Sequence, residues 1–399
     1  MRRPPASLFR LTLGAVTAAL VAVAAGGMSA RAASPANADQ RVSARAEVGA
    51  EYDSNVHRAE QVSGAPGPPI VGSPLARAVL GWTASDVLGG GHDVAFSVLG
   101  AAKAFARREA QNENVAVVET HGAWRMPLGD RMRLGANAVY YEAIQAGTPA
   151  ERELPGEARD FRSLTPSLRL QRLVGDTGAL AVGGGYRWFT YKPLRTYDFE
   201  APVLALEYRM TRETADASAD WEVVAGAGLE LRRFAGARLI AQPSGCVPSS
   251  CTTTPDPGGA RHVDEFVSGH LDVTRTGAVL VGAGYSLQWN RSNSYAESVV
   301  RHVGTVRFTA LLPFRLYLAA RTELVYATYP DRVTLAIGPS GQPSASIDDE
   351  NRNQARAELS RDLGAHLQIV GRYTLYTNAF GQVQYGRQTA TMSLVYAAD

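Results

Sequence analysis

The stretch RVSARAEVGAEYDSNVHR, Arg41 to Arg58, decides the fold. Taken every second residue, one row is Arg41, Ser43, Arg45, Glu47, Gly49, Glu51 and Asp53. The other is Val42, Ala44, Ala46, Val48, Ala50 and Tyr52. One row is charged or small and polar, and the other is apolar up to its terminal tyrosine. Successive side chains of a strand point to opposite faces, so this is a strand with two chemically distinct sides. A soluble sheet would turn large apolar side chains to a core. Here the apolar row is thin, and the row opposite is densely charged.

The same alternation runs to the end of the chain. Val306, Phe308 and Ala310 alternate with Thr305, Arg307 and Thr309. Leu367, Ile369, Tyr373 and Leu375 oppose His366, Gln368, Arg372 and Thr374. About sixteen such segments can be marked by alternation and by the turn residues between them. They begin near Arg41, Leu75, His92, Val115, Met132, Phe161, Ala179, Phe199, Trp221, Val263, Ala278, Val299, Arg315, Asn353, His366 and Gln388. Most exceed the length of a globular strand and suit a tilted membrane crossing of roughly nine to eleven residues. Tight connections such as LGGGH, PLGDR, VGDTG and LPF alternate with longer ones: Ala59–Pro74, Glu109–Asn114, Ala146–Arg159, Leu239–Arg261 and Asp331–Arg352. Short periplasmic turns and long external loops are the habit of outer-membrane barrels.

The N-terminus is consistent with export. Arg2, Arg3 and Arg10 precede an apolar run from Leu11 to Ala25, and Ala30-Arg31-Ala32 offers a small-residue cleavage site. This is the order of a secretory signal peptide, expected over residues 1–32, with a short segment 33–40 before the barrel at 41–399. Residues 1–32 hold four arginines and no acid, so the net charge of +2 becomes −2 for residues 33–399. A near-neutral mature chain gives no argument for nucleic acid. The two cysteines, Cys246 and Cys251, stand in SGCVPSSC, and in an exported chain such a close pair points to a local disulfide. Their spacing is not the usual metal-binding one, and no second Cys/His pair stands near.

The charged row defines the candidate site. The alternation assigns Arg45, Glu47, Glu51, Arg169, Arg187, Glu207, Arg209, Glu230, Arg232, Arg307, Arg321, Glu323, Arg356, Glu358 and Arg372 to a watery lumen. Arg77, Glu119, Arg125, Glu142 and Glu222 fall in the same row by the same reading. The signs are mixed, so the row predicts either ion-pair ladders bracing the wall or a conduit without strong ion selectivity. Aromatics late in the segments (Tyr140, Tyr141, Trp188, Phe189, Tyr191, Trp289, Tyr326, Tyr376) predict an external belt, and Trp82, Trp124, Tyr208, Trp221, Phe314 and Tyr396 a periplasmic one. No HExxH, GxSxG or phosphate-binding loop occurs, and neither an enzyme, a resident metal nor a cofactor is expected. A barrel lipase would need a Ser/His pair on its lipid face, for which His121 and Ser97 are the pair to test. The acidic run Ser346–Asn353 raises calcium, against the plainer reading of a solvated loop.

In pattern the region from Arg41 to Tyr396 resembles bacterial outer-membrane β-barrel proteins. EYDSNVHR, Glu51 to Arg58, resembles the end of the first strand in uncharacterised barrels associated with exopolysaccharide or capsule gene clusters. It is also similar to the barrel of surface-lipoprotein assembly modulators, whose N-terminal helical-repeat domain has no counterpart in the pattern here. The resemblance implies an outer-membrane location, contact with membrane lipid and lipopolysaccharide, and handling by the barrel-assembly machinery. It also implies an accessory role in exopolysaccharide export beside export components. Such barrels end in an aromatic residue, whereas Tyr396 here is followed by Ala-Ala-Asp399. The expectation is an all-β, antiparallel barrel forming an aqueous channel for a hydrophilic solute. The alternative is a surface barrel without transport, acting as an adhesive, assembly or structural factor.

Overall fold

The computed structural model describes residues 40–398 apart from 59–60, 63–68, 147–159, 193, 214–218, 248–249, 296, 331–352 and 378–382. The expected signal peptide and the acidic stretch 346–352 lie outside the described residues, as do the side chains of both cysteines. Sixteen strands close into one antiparallel barrel. In chain order they are β1 Arg41–Asp53, β2 Ser73–Leu88, β3 His92–Phe105, β4 Val115–Pro127, β5 Met132–Gln145, β6 Phe161–Val174, β7 Gly178–Tyr191 and β8 Phe199–Glu213. There follow β9 Asp220–Ala237, β10 Arg261–Thr276, β11 Val279–Ser292, β12 Val299–Leu312, β13 Leu316–Thr328, β14 Asn353–Asp362, β15 Leu367–Thr377 and β16 Gly386–Ala398. Each pairs with its neighbours in sequence, and β1 pairs with β16 to close the ring. Two small hairpin-like pairs lie outside the ring: Leu239–Val247 with Ser250–Pro255, and Gln61–Val62 with Val383–Gln384.

The strand starts expected from alternation fall within two residues of those observed. Period two survives because each face meets a different solvent, and a one-residue slip would exchange the faces. β16 shows the rule cleanly. Arg387, Thr389, Thr391, Ser393 and Val395 are buried, while Ala390, Met392, Leu394 and Tyr396 are exposed. Large apolar side chains on the outer surface are bare, among them Leu168, Leu204, Val306 and Met392, the last 65% exposed. A continuous apolar outer band on a closed sheet is the architecture of a bacterial outer-membrane protein: hydrocarbon accepts the band and tolerates no open edge.

The connections sort the two ends. At one end, short turns are made by Gly90, Gly91, Gly129 and Gly175, all at positive φ. Glycine adopts these angles without the Cβ penalty that tight hairpins impose on other residues. The turn between β12 and β13 does without it, holding Phe314 and Arg315 at φ 64° and 57°. Both chain ends of the barrel lie at this short-turn, periplasmic end. The longer connections gather at the other end and carry the 3-10 turns Arg108–Glu113 and Arg195–Tyr197.

YDSN, the end of β1, is a clasp on the ring's closing seam. Arg387 of β16 donates to Asp53 through Nε (2.9 and 3.0 Å) and Nη2 (2.6 Å). Asp53 Oδ1 also accepts the Asn55 amide at 3.0 Å, and Asn55 Nδ2 donates to the Gly386 carbonyl at 3.3 Å. Ser54 and Gln388 exchange two further hydrogen bonds, and Arg387 lies over the Tyr376 ring. Beyond the clasp, Val56 packs on Leu75, Phe105 and Ala110. Leu75 and Phe105 are in the inward row of β2 and β3, so the chain after β1 turns into the barrel mouth.

Candidate channel lumen

The inner wall has two zones. Toward the external end its side chains are buried: Asp53, Glu51, Arg77, Lys103, Glu230, Arg232, Asp264, Arg301 and Arg387. Toward the periplasmic end the row is mixed: Ala181, Ser360, Val370, Ser393 and Val395 are buried, while several arginines are open to water. There the side chains of Arg45, Arg209, Arg307 and Arg321 are 58%, 53%, 44% and 54% exposed.

The residues assigned to the lumen fall into three groups. The first runs around the seam as a chain of alternating charge. Arg356 and Arg372 both donate to Glu358 (3.1 and 2.9 Å), and Arg372 reaches Glu47 at 3.5 Å. Glu47 meets Arg77 at 3.3 Å, Arg77 meets Glu51 at 3.1 Å, and Glu51 accepts from Lys103 at 2.9 Å. Ser393 and Thr391 of β16 donate to Glu47 and Glu51, which places hydroxyls beside each buried carboxylate. Arg45 lies at the open end, 3.9 Å from Glu47. Removing charges from water is costly unless each meets an opposite one, and every member of this chain does.

The second group is on β7 and β9. Arg187 and Arg232 flank Glu230 at 2.9 and 3.0 Å. The guanidinium of Arg232 lies over the rings of Phe266 and Phe199, 4.4 and 5.4 Å from their centroids. The third group is wet. Arg169 pairs with Glu207 at 2.7 Å and Arg209 with Glu222 at 3.4 Å, while Arg307 meets Asp272 at 3.0 Å and Arg321 meets Glu323 at 2.6 Å. Exposed pairs such as these contribute little to stability. Register sets Arg307, Arg321 and Arg356 directly side by side on β12, β13 and β14. Like charges placed opposite one another repel across a sheet, and here each has its own carboxylate: Asp272, Glu323 and Glu358.

Three expectations are corrected. Glu142 lies in the outward row of β5, where it accepts from Lys192 Nζ and Tyr140 Oη, both at 2.7 Å. It sits at the external rim, where the strand has left the hydrocarbon and an outward charge carries no such penalty. The external aromatics also divide. Tyr140, Trp188, Trp289 and Tyr326 do face outward, but Tyr141, Phe189, Tyr191 and Tyr376 are buried in the inward row. With Phe161, Phe199, Phe234 and His262, two of them form a run of ring contacts around the inner wall. Successive centroids from Tyr141 to Phe199 are 5.2, 5.3 and 4.7 Å apart. From Phe199 the run continues at 5.2 and 3.9 Å to His262. Ring pairs at these separations stabilise beyond their burial alone. The run was readable from parity, since Phe189 is two residues from Arg187 and Phe234 two from Arg232. Ser97 and His121 are direct cross-strand partners, but in the inward row, away from lipid. Cys246 and Cys251 are paired positions across their small hairpin.

No protein-family model matches the chain, and no curated protein is similar to it in sequence. Solved barrels are similar in outline. OprB of Pseudomonas putida has 10% identity and a TM-score of 0.49, over 90% of this chain and 94% of that one. A BenF-like porin from Pseudomonas fluorescens has 9% identity and a TM-score of 0.47, over 91% and 100%. OpdK of Pseudomonas aeruginosa, solved with vanillate, has 9% identity and a TM-score of 0.44, over 91% and 99%. At such identity the likeness is one of outline, and the barrel rests on its own strand pairing.

Proposed function

We propose that this barrel is a passive conduit for small hydrophilic solutes across the outer membrane. The observation that carries the reading is the stretch of water-exposed ion pairs on the periplasmic part of the inner wall, Arg169, Arg209, Arg307 and Arg321 beside Glu207, Glu222 and Asp272. Barrels of about this strand number enclose more room than side chains alone fill. A wall of mixed sign holds water and gives weak ion preference. Its surroundings would be membrane lipid and lipopolysaccharide, reached through the barrel-assembly machinery. The likeness of the first strand to barrels of exopolysaccharide gene clusters supports a narrower version, in which the solute is a saccharide and the barrel serves polysaccharide export.

The buried external half favours a second reading, a closed barrel with a structural or adhesive role. A planar bilayer decides between them. The conduit reading expects stable conductance steps with mild ion preference, enlarged when the connection 239–260 is shortened. The narrower version expects host oligosaccharide to block the current, and Arg307→Gln or Arg321→Gln to weaken that block more than Leu318→Ala on the lipid face. A barrel that never conducts, with or without its external loops, overturns the conduit.

A further inference from the structure

At the external mouth the inner wall holds a cluster that neither the ion-pair chain nor the conduit uses. His262 and Asp264 project from the inward row of β10, Asn290 and Ser292 from β11, and Glu297 from the connection between β11 and β12. Three oxygens converge on one ring nitrogen. His262 Nε2 is 2.7 Å from Asp264 Oδ1, 3.0 Å from Glu297 Oε2 and 3.1 Å from Ser292 Oγ. An imidazole nitrogen carries at most one proton, so it can serve only one of these acceptors well at a time. Phe234 stacks parallel on the imidazole, 3.9 Å away, and fixes the plane of the ring.

A second observation concerns the amide beside them. The Asn290 amide is wedged into the cluster, donating from Nδ2 to Asp264 Oδ2 at 3.0 Å and to the Glu297 carbonyl at 3.1 Å. Its own Oδ1 is buried with no hydrogen-bond partner, in a side chain only 2% exposed. A buried amide oxygen without a donor is unfavourable. Oxygen and nitrogen of an amide exchange places by a half-turn that leaves its shape unchanged. After that turn, Asn290 Oδ1 would face Asp264 Oδ2 and the Glu297 backbone carbonyl, a gathering of oxygens that a cation makes favourable.

We propose that His262, Asp264 and Glu297 bind a divalent transition-metal ion, with Asn290 and Ser292 supplying further oxygens. One imidazole and two carboxylates suit zinc and its first-row neighbours better than calcium, which takes oxygen alone. The donor separations of 2.7 and 3.0 Å are close to the edge of a shell with metal–ligand bonds of about 2.0–2.2 Å. Because Glu297 comes from a connection and the other two from the wall, the metal fastens Glu297 to the inner face of the mouth. The site stands whether or not the barrel conducts.

Zinc titration of the chelator-treated, folded barrel in detergent tests this by calorimetry. One Zn²⁺ should bind per barrel. His262→Gln, Asp264→Asn and Glu297→Gln should each weaken binding at least tenfold, whereas Glu265→Gln, on the outer face, should leave it unchanged. Glu297 is outside the strands, so Glu297→Gln keeps the test open if a wall variant fails to fold, as judged by heat-dependent gel migration. Co²⁺ should give visible absorption bands that His262→Gln removes. No zinc uptake by the wild type, or uptake that survives both His262→Gln and Glu297→Gln, would overturn the site and leave a histidinium held between two carboxylates.

Discussion

Asp53→Ala should destabilise the barrel at its closing seam by about 3–5 kcal/mol, the loss found when one partner of a buried ion pair is removed. The structure sets this scale. Asp53 is 0% exposed and Arg387 4%, and the guanidinium makes three contacts of 2.6–3.0 Å with the carboxylate. Tyr376, 5.1 Å from the guanidinium carbon, recovers part of the loss through the ring face. Asp53→Asn separates charge from shape. It keeps an oxygen for the Asn55 amide but replaces Oδ2, which accepts from Arg387 Nε and Nη2, with an NH2 that can accept from neither, so its effect should approach that of Asp53→Ala. The double variant Asp53→Ala/Arg387→Met leaves no uncompensated cation at the clasp and should lose less than the two single variants together. The assay is urea-induced unfolding of the barrel in lipid vesicles, followed by tryptophan fluorescence. A loss under about 1 kcal/mol for Asp53→Ala, or strict additivity in the double variant, would refute the clasp as a coupled pair.

Val306→Arg, midway along β12 on the outer surface, should be destabilising by about 2–4 kcal/mol, whereas Thr305→Arg, facing the lumen, should be tolerated in the same assay. Equal damage from both would mean the faces are exchanged. Cys246 and Cys251 are expected to be joined in protein purified without reductant, and replacing both with serine should leave unfolding unchanged, because the closed loop is short and off the barrel; two titratable thiols would contradict this. The hydrogen bond from His57 to Glu113 raises the histidine pKa above its ordinary 6.5 against the opposing effect of burial. That contact therefore stabilises the external connection fully below pH about 6.5 and is lost as pH rises through the folded value. Protease nicking near His57 should increase over that range, and Glu113→Gln should abolish the dependence; nicking that falls with rising pH would count against the pair.

Strand number and placement were legible because a barrel in a membrane needs two different faces on every strand, and period two writes them into the text. The outline of the lumen followed from the same parity. Glu142 was misread where the rule ends: near the external rim Tyr140 and Glu142 point out and Tyr141 and Ala143 point in, and both rows mix polar with apolar groups. The aromatics were judged by position along the strand, which predicts belts, when parity also tells the faces apart. The clasp needs more than pattern. Asp53 and Arg387 are 334 residues apart, and only the register of β1 on β16 brings them together. The spacing of His262 and Asp264 on one face was visible, but Glu297 arrives from a connection whose path no periodicity encodes.

The unequal burial of the inner wall gives the proposed conduit an electrical direction. Voltage across two resistances in series falls mostly across the larger. The larger here is the external half, where Arg77, Glu230 and Arg232 are enclosed. In that conduit the exposed stretch around Arg307 and Arg321 would act as a vestibule close to the potential of the periplasmic solution. An applied voltage therefore acts on the Glu47–Arg77–Glu51–Lys103 chain and only slightly on the exposed arginines. Those arginines instead set which ions gather at the inner entrance, an influence that salt screens over a Debye length of about 10 Å at 0.1 M. Current through such a conduit rectifies, and its rectification fades with ionic strength.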